Sequence, residues 1–439
     1  MTVSRQLIVH NRTQLAKRTP QRRDLVVGID GTNLRRGGGR THLVEILGAA
    51  DPLRHGVERV VVWGNRDTLA LIEDRPWLEK LNSPALDKGL IRRFLWQRLR
   101  LSSACRAAGC DLLWVPGGLY YGDFHPVVTM SRNLLPFEWG ELRRYSWSMK
   151  AVRLLLLRVS QSLSFRRADG IIFLTQYARR AVMQVTRPLA GMLTVIPHGL
   201  NRRFLRALRP PRSILDCSDA DPFQLLYVSI VEPYKHQWHL VEAVAQLRAM
   251  TGWPLALDLV GACYPPALRR LERTLQRCDS ARDWVTYHGS VAHADLPDIY
   301  GKADLGVFAS SCENMPNILL ETMAAGLPVA CSRRGPMREI LRDAGCYFDP
   351  VAPAEIAGVL RYMIDAPERR ADLAQASFQA AQDYTWDACA AGSFDFLVRQ
   401  VVGLEGRNEA VTPPERSSTS RARGGVIKVL SPVGMSDAG

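Results

Sequence analysis

The chain has 439 residues, of which 47% are apolar, so it is too long for one ordinary domain and can bury two cores. Its net charge of +14 indicates an anionic partner, although the sequence has no recognisable nucleic-acid-binding motif. It has neither an apolar run long enough to span a bilayer nor the apolar core of a secretory signal at its N-terminus.

The positive charge is unevenly distributed along the chain. Residues 1–23 carry six basic and no acidic residues, residues 24–200 have a net charge of +10, and residues 201–404 have a net charge of −3. This excess coincides with amphipathic segments and favours an anionic membrane surface over nucleic acid as the partner. The nine cysteines lack metal-ligand and C-x-x-C spacing, which is typical of reduced thiols in a cytoplasmic protein. We expect residues 1–23 and 405–439 to be poorly ordered.

Strand-like and helical segments alternate through residues 24–207, which predicts an α/β domain with a parallel sheet. A strand at 24–31 is followed by Gly37, Gly38 and Gly39, directly before a helix. Such a triplet is either a flexible turn or a loop that lets backbone approach a phosphate group. Further strands are predicted at RVVVWG, DLLWVPGG, HPVVTMS and GIIFLT, and GLIRRFLWQRLRLSSACRAA has helical spacing.

The segment KAVRLLLLRVSQSLSFRR, residues 150–167, has a leucine run flanked by arginines. It is either a core helix of this domain or an interfacial helix that contacts anionic lipid, and both interpretations can hold for one helix with two faces. His198, in the loop that closes this half of the chain, is interpreted as a structural residue rather than a catalytic base.

After a linker rich in Pro, Asp and Ser at residues 208–222, the same alternation continues through residues 223–385. It predicts a second parallel sheet, with ligands at the carboxyl ends of its strands. The last helical stretch begins near residue 368, and its end, residues 386–404, is expected to pack back across the two domains.

The stretch SSCENMPNILLETMAAG, residues 310–326, places Glu313 in a loop after a strand and Glu321 inside the helix that follows. Pro316 fits the first helical turn, where its missing N–H is not needed. The free N–H groups of residues 314–318 are expected to face the same cleft and to favour anionic or hydroxyl oxygens. On spacing alone, the two glutamates are either a binding device for a polyhydroxy ligand or a helix with an acidic first turn.

The segment VFASSCENMPNILLETMAAGLPVACS resembles the donor-binding signature of the retaining family-four glycosyltransferases, which has two glutamates separated by seven residues, followed by a small-residue helix and GLPV. The similarity extends through YVSIVEPYKHQ, LDLVGACY, VTYHGSV and EILRDAGCYFDP, and through GGGRTHL, GIIFLTQYARRAV and VIPHGLNRRF in the first half. It implies the GT-B fold, in which two Rossmann-like parallel-sheet domains face each other across a cleft. Residues 24–207 would then bind the acceptor and residues 223–385 the nucleotide-sugar donor.

The resemblance implies catalytic roles for Glu313 and Lys235. Glu313 corresponds to the residue that meets the hydroxyls of the transferred sugar, Glu321 to the one that holds the donor ribose, and Lys235 to the lysine that meets the donor diphosphate. A lysine there is chemically sensible because it neutralises the charge that grows on a leaving diphosphate. The other positions that the resemblance assigns to the donor are Ser229, Asn314, Met315, Asn317 and Ile318.

Two places depart from the family pattern. Where many members have Gly-Arg, this chain has Ser229 and Ile230, so a second phosphate-binding cation must come from elsewhere, with Arg132 and Arg40 as candidates. Where members commonly have a histidine after a first-half strand, this chain has Arg132 and Asn133. We expect these two residues to make the reacting-face contacts.

The resemblance therefore implies a retaining hexosyltransferase that moves a sugar from a UDP- or GDP-linked donor to a glycan or lipid-linked acceptor. The setting would be bacterial cell-surface polysaccharide synthesis (O-antigen, capsule or exopolysaccharide), on the inner face of the cytoplasmic membrane, and the signature favours mannose carried on guanosine diphosphate. Gly37, Gly38 and Gly39 would approach the donor phosphates, and neither a metal nor a cofactor is expected. Two alternatives remain open, a sugar-nucleotide-binding scaffold that has lost catalysis and an epimerase on the same fold.

Overall fold

The computed structural model describes residues 24–146, 148–186 and 188–409 of the chain. Our expectations for residues 1–23 and 410–439 lie outside this part. The last described helix continues to Glu409, so the first residues of the expected C-terminal tail, 405–409, are helical.

The first half of the described chain forms a seven-stranded sheet in which all neighbouring strands are parallel. The strands are β1 (Leu25–Asp30), β2 (Val57–Trp63), β3 (Leu78–Leu81), β4 (Leu112–Val115), β5 (Val127–Met130), β6 (Gly170–Phe173) and β7 (Met192–Val195). Their spatial order is β3-β2-β1-β4-β5-β6-β7. The predicted first parallel sheet is confirmed, but the sequence pattern does not indicate the edge strand β3, because LEKL contains no apolar run.

Seven α-helices connect and cover this sheet within the described residues. They are α1 (Gly37–Ala49), α2 (Arg66–Leu69), α3 (Leu90–Leu99), α4 (Leu101–Ala107), α5 (Trp139–Leu142), α6 (Met149–Arg167) and α7 (Gln176–Val185). The segment that reads as one long helix breaks at Arg100, whose φ of −121° is not helical. Helix α1 begins at Gly37, whose φ of +61° is left-handed, so the glycine triplet opens the helix and is not a loop before it.

The second half repeats this architecture with a six-stranded parallel sheet. Its strands are β8 (Phe223–Val228), β9 (Leu255–Val260), β10 (Val285–Gly289), β11 (Leu305–Phe308), β12 (Val329–Ser332) and β13 (Gly345–Phe348), in the order β10-β9-β8-β11-β12-β13. The helices are α8 (Gln237–Thr251), α9 (Pro265–Cys278), α10 (Leu296–Tyr300), α11 (Asn317–Ala324), α12 (Met337–Leu341), α13 (Pro353–Asp365), α14 (Pro367–Ala381) and α15 (Trp386–Glu409). The second predicted sheet is thus confirmed as well.

Each sheet reverses its strand order once. The reversal lies between β1 and β4 in the first sheet and between β8 and β11 in the second. Ligands bind at such points because the loops leaving the two strands diverge and open a crevice at their carboxyl ends. The loops that follow β8 and β11 carry Lys235 and Glu313, and the loop that follows β1 leads into the glycine triplet.

The start of α15 packs against the first half of the chain. Leu200 pairs with Thr385 in an isolated parallel bridge, and His55 Nδ1 lies 2.7 Å from an Asp395 carboxylate oxygen. Of the helices described, none combines the length and apolarity that a membrane crossing requires. All nine cysteines are free thiols.

Gly199 is the tightest point of this packing, and we expect Gly199→Ala to destabilise the fold. A Cβ there would lie 2.3 Å from the Trp386 backbone nitrogen, and overpacking of this kind costs about 1–3 kcal/mol. The matched control is Gly392→Ala in α15, where the nearest atom, on Ile196, is 3.7 Å away. In thermal denaturation, the first transition temperature should be lower than that of the wild type for Gly199→Ala but not for Gly392→Ala. Equal transition temperatures for the two variants would contradict the packing described.

Candidate functional site

Two neighbouring cavities lie in the cleft between the two sheets. One, of about 360 Å³, is lined by Lys235 and Glu313, and we call it the Lys235 cavity. The other, of about 420 Å³, is lined by Glu321, and we call it the Glu321 cavity. Both are also lined by Gly38, Asn317 and Ile318, so they are two ends of one groove.

Lys235 and Glu313 form a nearly buried ion pair in the Lys235 cavity. Their side chains are only 8% and 14% exposed, and Lys235 Nζ contacts Glu313 Oε1. The Tyr227 hydroxyl of β8 donates to the Lys235 carbonyl at 2.9 Å, which fixes the loop that carries the lysine. A charge pair with so little water around it has a strong local field, because solvent does not screen it as it screens a surface pair.

The loop bearing Glu313 is fastened to both halves of the chain through Asn314. The Thr175 hydroxyl donates to the Asn314 carbonyl at 2.9 Å, and Asn314 Nδ2 donates to the Ser131 carbonyl at 3.1 Å. Ser131 and Thr175 follow β5 and β6 in the first sheet, whereas Asn314 follows β11 in the second. Both halves therefore set the position of Glu313.

Helix α11 begins beside this ion pair. Pro316 is its N-cap and has no N–H, and the early residues Asn317 and Ile318 line both cavities. The N–H groups of a first helical turn have no partner within the helix and attract anionic oxygens. Asn317 Oδ1 is buried and has no hydrogen-bond partner in the part of the chain described, which is expected of a group that meets a ligand.

Arg132 joins the glycine triplet to the Lys235 cavity. Its guanidinium donates to the carbonyls of Gly38 at 2.6 Å and Gly39 at 3.4 Å. Burial lowers the pKa of Arg132 to about 10, so the group remains a cation at neutral pH. A second cation is thus present beside Lys235, while Arg40 lines only the Glu321 cavity of the two.

Glu321 is 5% exposed and is held by two neighbours. His293 Nε2 lies 3.0 Å from Oε1, and the Tyr300 hydroxyl donates to Oε2 at 3.3 Å. The Phe204 ring lies 5.2 Å from the His293 ring and lines the same cavity. The carboxylate is therefore oriented at the far end of the groove from Lys235.

A histidine pair lies at the wall of the groove, where His198 lines the Lys235 cavity. His42 Nδ1 in α1 is 2.9 Å from His198 Nδ1, and the His198 backbone N–H donates to Met315 Sδ at 3.0 Å. Burial holds the pKa of both imidazoles well below the ordinary value, with the nearby charge of Arg132 adding to the effect. One ring of the neutral pair donates and the other accepts, which ties α1 to the segment that closes the first half.

The predicted site residues are not all gathered in the groove. Glu313, Lys235, Met315, Asn317, Ile318, Gly38, Gly39 and Arg132 line the Lys235 cavity, and Gly37 and Glu321 line the Glu321 cavity. Asn314 is buried behind the groove as a bridge between the halves. Ser229 and Asn133 line neither cavity: the Ser229 hydroxyl donates to the Ile230 carbonyl at 3.4 Å, and Asn133 Oδ1 accepts from the Leu135 N–H at 3.2 Å.

His42, His293 and Phe204 were not indicated by the sequence. The only available signal was their position in or after loops at the carboxyl ends of strands, which many residues share. Within the described ranges, no group of three or more His, Cys, Asp or Glu side chains is arranged to hold a metal ion.

One known protein family matches part of the chain. The profile of the family described as "Glycosyl transferases group 1" matches residues 218–380, which contain Lys235, Glu313 and Glu321. The matched region therefore contains the second sheet, helices α8–α13 and nearly all of α14, but not α15.

Curated relatives match over a similar region. D-inositol 3-phosphate glycosyltransferase of Kineococcus radiotolerans is 27% identical over 256 residues, covering 53% of this chain and 58% of that protein. O-antigen chain mannosyltransferase B of Escherichia coli is 31% identical over 189 residues, covering 41% of this chain and 48% of that protein. The chain thus spans about half the length of the curated relatives it matches.

Solved structures match almost the whole fold. HepE from Anabaena in complex with UDP-glucose superimposes with a TM-score of 0.59 at 18% identity, covering 87% of this chain and 100% of that one. WaaG, a glycosyltransferase involved in lipopolysaccharide biosynthesis, gives a TM-score of 0.62 at 16% identity, covering 85% and 99%. The two parallel sheets are those of the GT-B fold, which confirms the predicted fold class.

The buried histidine pair makes stability depend on pH. Both rings stay neutral in the folded chain but take up protons below about pH 6.5 in the unfolded chain, so the free energy of unfolding falls as the pH drops. Replacing both with His42→Asn and His198→Asn should flatten this fall by up to about 1.4 kcal/mol per pH unit for each histidine removed. Urea unfolding at several pH values around and below 6.5 measures the free energy of unfolding of each variant. If its pH dependence in the double variant equals that of the wild type, the neutral pair is contradicted.

Proposed function

We propose that this chain is a glycosyltransferase that transfers a sugar from a nucleoside-diphosphate sugar to an acceptor hydroxyl. The observation that carries the proposal is the groove whose two ends hold the Lys235–Glu313 pair and the oriented carboxylate of Glu321. Its cations, helix N–H groups and carboxylates are the groups that recognise a diphosphate joined to two polyhydroxy units.

We assign the donor to the whole length of the groove. Its diphosphate meets Lys235, Arg132 and the N–H groups at the start of α11. The sugar hydroxyls meet Glu313, and the ribose hydroxyls meet Glu321. The carboxylates accept hydrogen bonds, which distinguishes the sugar and ribose ends from the anionic middle of the donor.

The reaction breaks the bond between the sugar C1 and the β-phosphate oxygen and forms a bond from C1 to the acceptor oxygen. The acceptor hydroxyl loses its proton to the departing diphosphate, and nucleoside diphosphate is the second product. Lys235 stabilises the charge that develops on the leaving group, and its burial makes this stabilisation stronger than it would be in water. We assign front-face attack with retention of configuration, on the resemblance of the Glu313–Glu321 segment to retaining enzymes.

Cell-surface polysaccharide synthesis is the setting that we propose for this activity. The likeness to an O-antigen mannosyltransferase and to a lipopolysaccharide glycosyltransferase supports it, and the former also supports a mannose donor. We assign a glycan or lipid-linked acceptor to the basic first half, and no cofactor besides the donor. The charge of that half supports a peripheral position on the inner face of the cytoplasmic membrane.

We expect Lys235→Met and Glu313→Gln each to lower kcat by about 100-fold or more, because each removes a charge that acts on the reacting centre. The matched control is Glu242→Gln, which breaks only the surface pair with Arg277 and should retain activity. Turnover with a panel of UDP- and GDP-sugars measures the effect, and a thermal melt confirms that each variant is folded. Folded variants with full activity would contradict the proposal. Donor binding by the wild type without any turnover would instead support the scaffold alternative.

Glu321→Gln should raise the donor KM by about tenfold and leave kcat nearly unchanged, because a ribose contact is equally strong before and during the reaction. Steady-state kinetics with the preferred donor separates the two constants. A fall in kcat at constant KM would place Glu321 at the reacting centre and contradict its assignment to the ribose.

A further inference from the structure

We propose that α3 and α6 form one face that docks on an anionic lipid bilayer, with an acyl chain entering a groove along α3. This inference deepens the membrane part of the proposed function by naming the surface and its partner. It rests on the surface itself, so it is testable without turnover.

Helix α3 buries a polar residue and exposes its apolar residues, which is the opposite of an ordinary surface helix. Its one fully buried residue is the polar Gln97, whose amide donates to the Leu119 carbonyl at 3.0 Å. Its large apolar side chains face outward instead, with Ile91 75% and Leu99 66% exposed, and Leu90, Phe94 and Leu95 also exposed. Water-soluble surfaces rarely present such a cluster unless something apolar covers it.

Helix α6 is apolar on its outward side as well, although its buried side is mixed. It buries Leu154 and Phe165 together with polar residues such as Gln161. Its outward side carries Leu156, which is 65% exposed, and Val159, which is 59% exposed. Val152, Leu155 and Leu163 are exposed as well. The leucine run that suggested either a core helix or an interfacial helix therefore has both kinds of face, and the outward one is apolar.

The two helices border the same loop of the first half. Gln97 of α3 donates to the Leu119 carbonyl, and the Tyr120 N–H donates to the Ser164 hydroxyl of α6 at 3.0 Å. The Phe94 and Tyr121 rings also meet, with centroids 4.8 Å apart. The buried sides of α3 and α6 thus contact consecutive residues of one loop, and we call the exposed apolar side chains of the two helices together the α3–α6 face.

A groove of about 380 Å³ opens along α3. Its walls are apolar and include Leu95, Trp96 and Leu99. Its rim carries Lys88, Arg92 and Arg100, which are exposed and pair with no carboxylate in the described part of the chain. An apolar slot edged by unpaired cations matches an acyl chain that hangs from an anionic headgroup.

Charge decides between a bilayer and a protein partner. Residues 90–107 and 149–167 contain ten basic residues and no acidic residue. A second copy of this chain would bring the same charge against itself, which is unfavourable. An anionic lipid surface offers both the opposite charge and the apolar interior that the exposed leucines require.

Helix α3 and the segment before it contact the loop that leads to the groove of the proposed donor site. Arg93 of α3 donates to the Thr32 carbonyl at 3.1 Å, and Arg35 donates to the Lys88 carbonyl at 3.0 Å. Thr32 and Arg35 lie in the loop between β1 and the glycine triplet. If the proposed function holds, a docked enzyme therefore presents its acceptor side close to the lipid surface.

Flotation of the full-length chain with vesicles tests the proposal. We expect binding to vesicles of equal parts phosphatidylglycerol and phosphatidylcholine and little binding to phosphatidylcholine alone. Leu95→Glu combined with Leu156→Glu should abolish most of this binding. The matched control is Leu215→Glu, which charges a side chain that is 89% exposed on the linker and should bind as the wild type does. Because residues 1–23 also carry six basic residues, the readout is the difference between variants of the same full-length chain.

A second variant set tests the groove rim. Lys88→Ser, Arg92→Ser and Arg100→Ser should each weaken binding to the anionic vesicles about fivefold, whereas Arg361→Ser in the second half should not. Wild-type binding by the Leu95→Glu and Leu156→Glu chain, or equal binding to both vesicle types, would overturn the proposal. So would a wild-type dimer that this double variant converts to monomer, because a second copy would then cover the face. Transfer to a water-soluble acceptor, measured in parallel, reports on the proposed function separately.

Discussion

Asn314 holds the site together because its carbonyl and side chain bond to the ends of two strands in the opposite sheet. Glu313 precedes it and Pro316 follows two residues later, so this one residue sets where the carboxylate and the start of α11 lie relative to the first half. A second tie reinforces it: Glu339 of α12 accepts the N–H groups of Gln176 and Tyr177 at 2.7 and 2.9 Å, which caps α7 in the other half.

The chemistry follows from the burial that these ties produce. Lys235 and Glu313 are nearly removed from water, so each charge is compensated mainly by the other. A diphosphate beside Lys235 would pair with its ammonium group, which would leave the Glu313 carboxylate free to accept hydrogen bonds from sugar hydroxyls. The pair thus places a charged lysine and a charged carboxylate at fixed positions in the groove.

Much of this arrangement was predictable from sequence, because apolar strand runs and their order along the chain determine parallel sheets. The same order places Glu313 at a strand end, and helical spacing puts Glu321 on α11. The features that the sequence did not predict depend on contacts between residues that are distant in the chain. The glycine triplet opens α1, and two of its carbonyls accept hydrogen bonds from Arg132, which is distant in sequence. The contacts of His42 with His198 and of His293 with Glu321 join residues that no local pattern relates. Periodicity also could not reveal that the apolar side of α3 faces outward.

In the proposed function, one groove binds a nucleoside-diphosphate sugar in a defined direction. A crystal structure of the chain with bound nucleoside diphosphate would reveal that direction. We expect the β-phosphate beside Lys235 and the start of α11, with the ribose hydroxyls on the Glu321 carboxylate. A nucleotide bound in the reverse direction, or outside the two cavities, would contradict it.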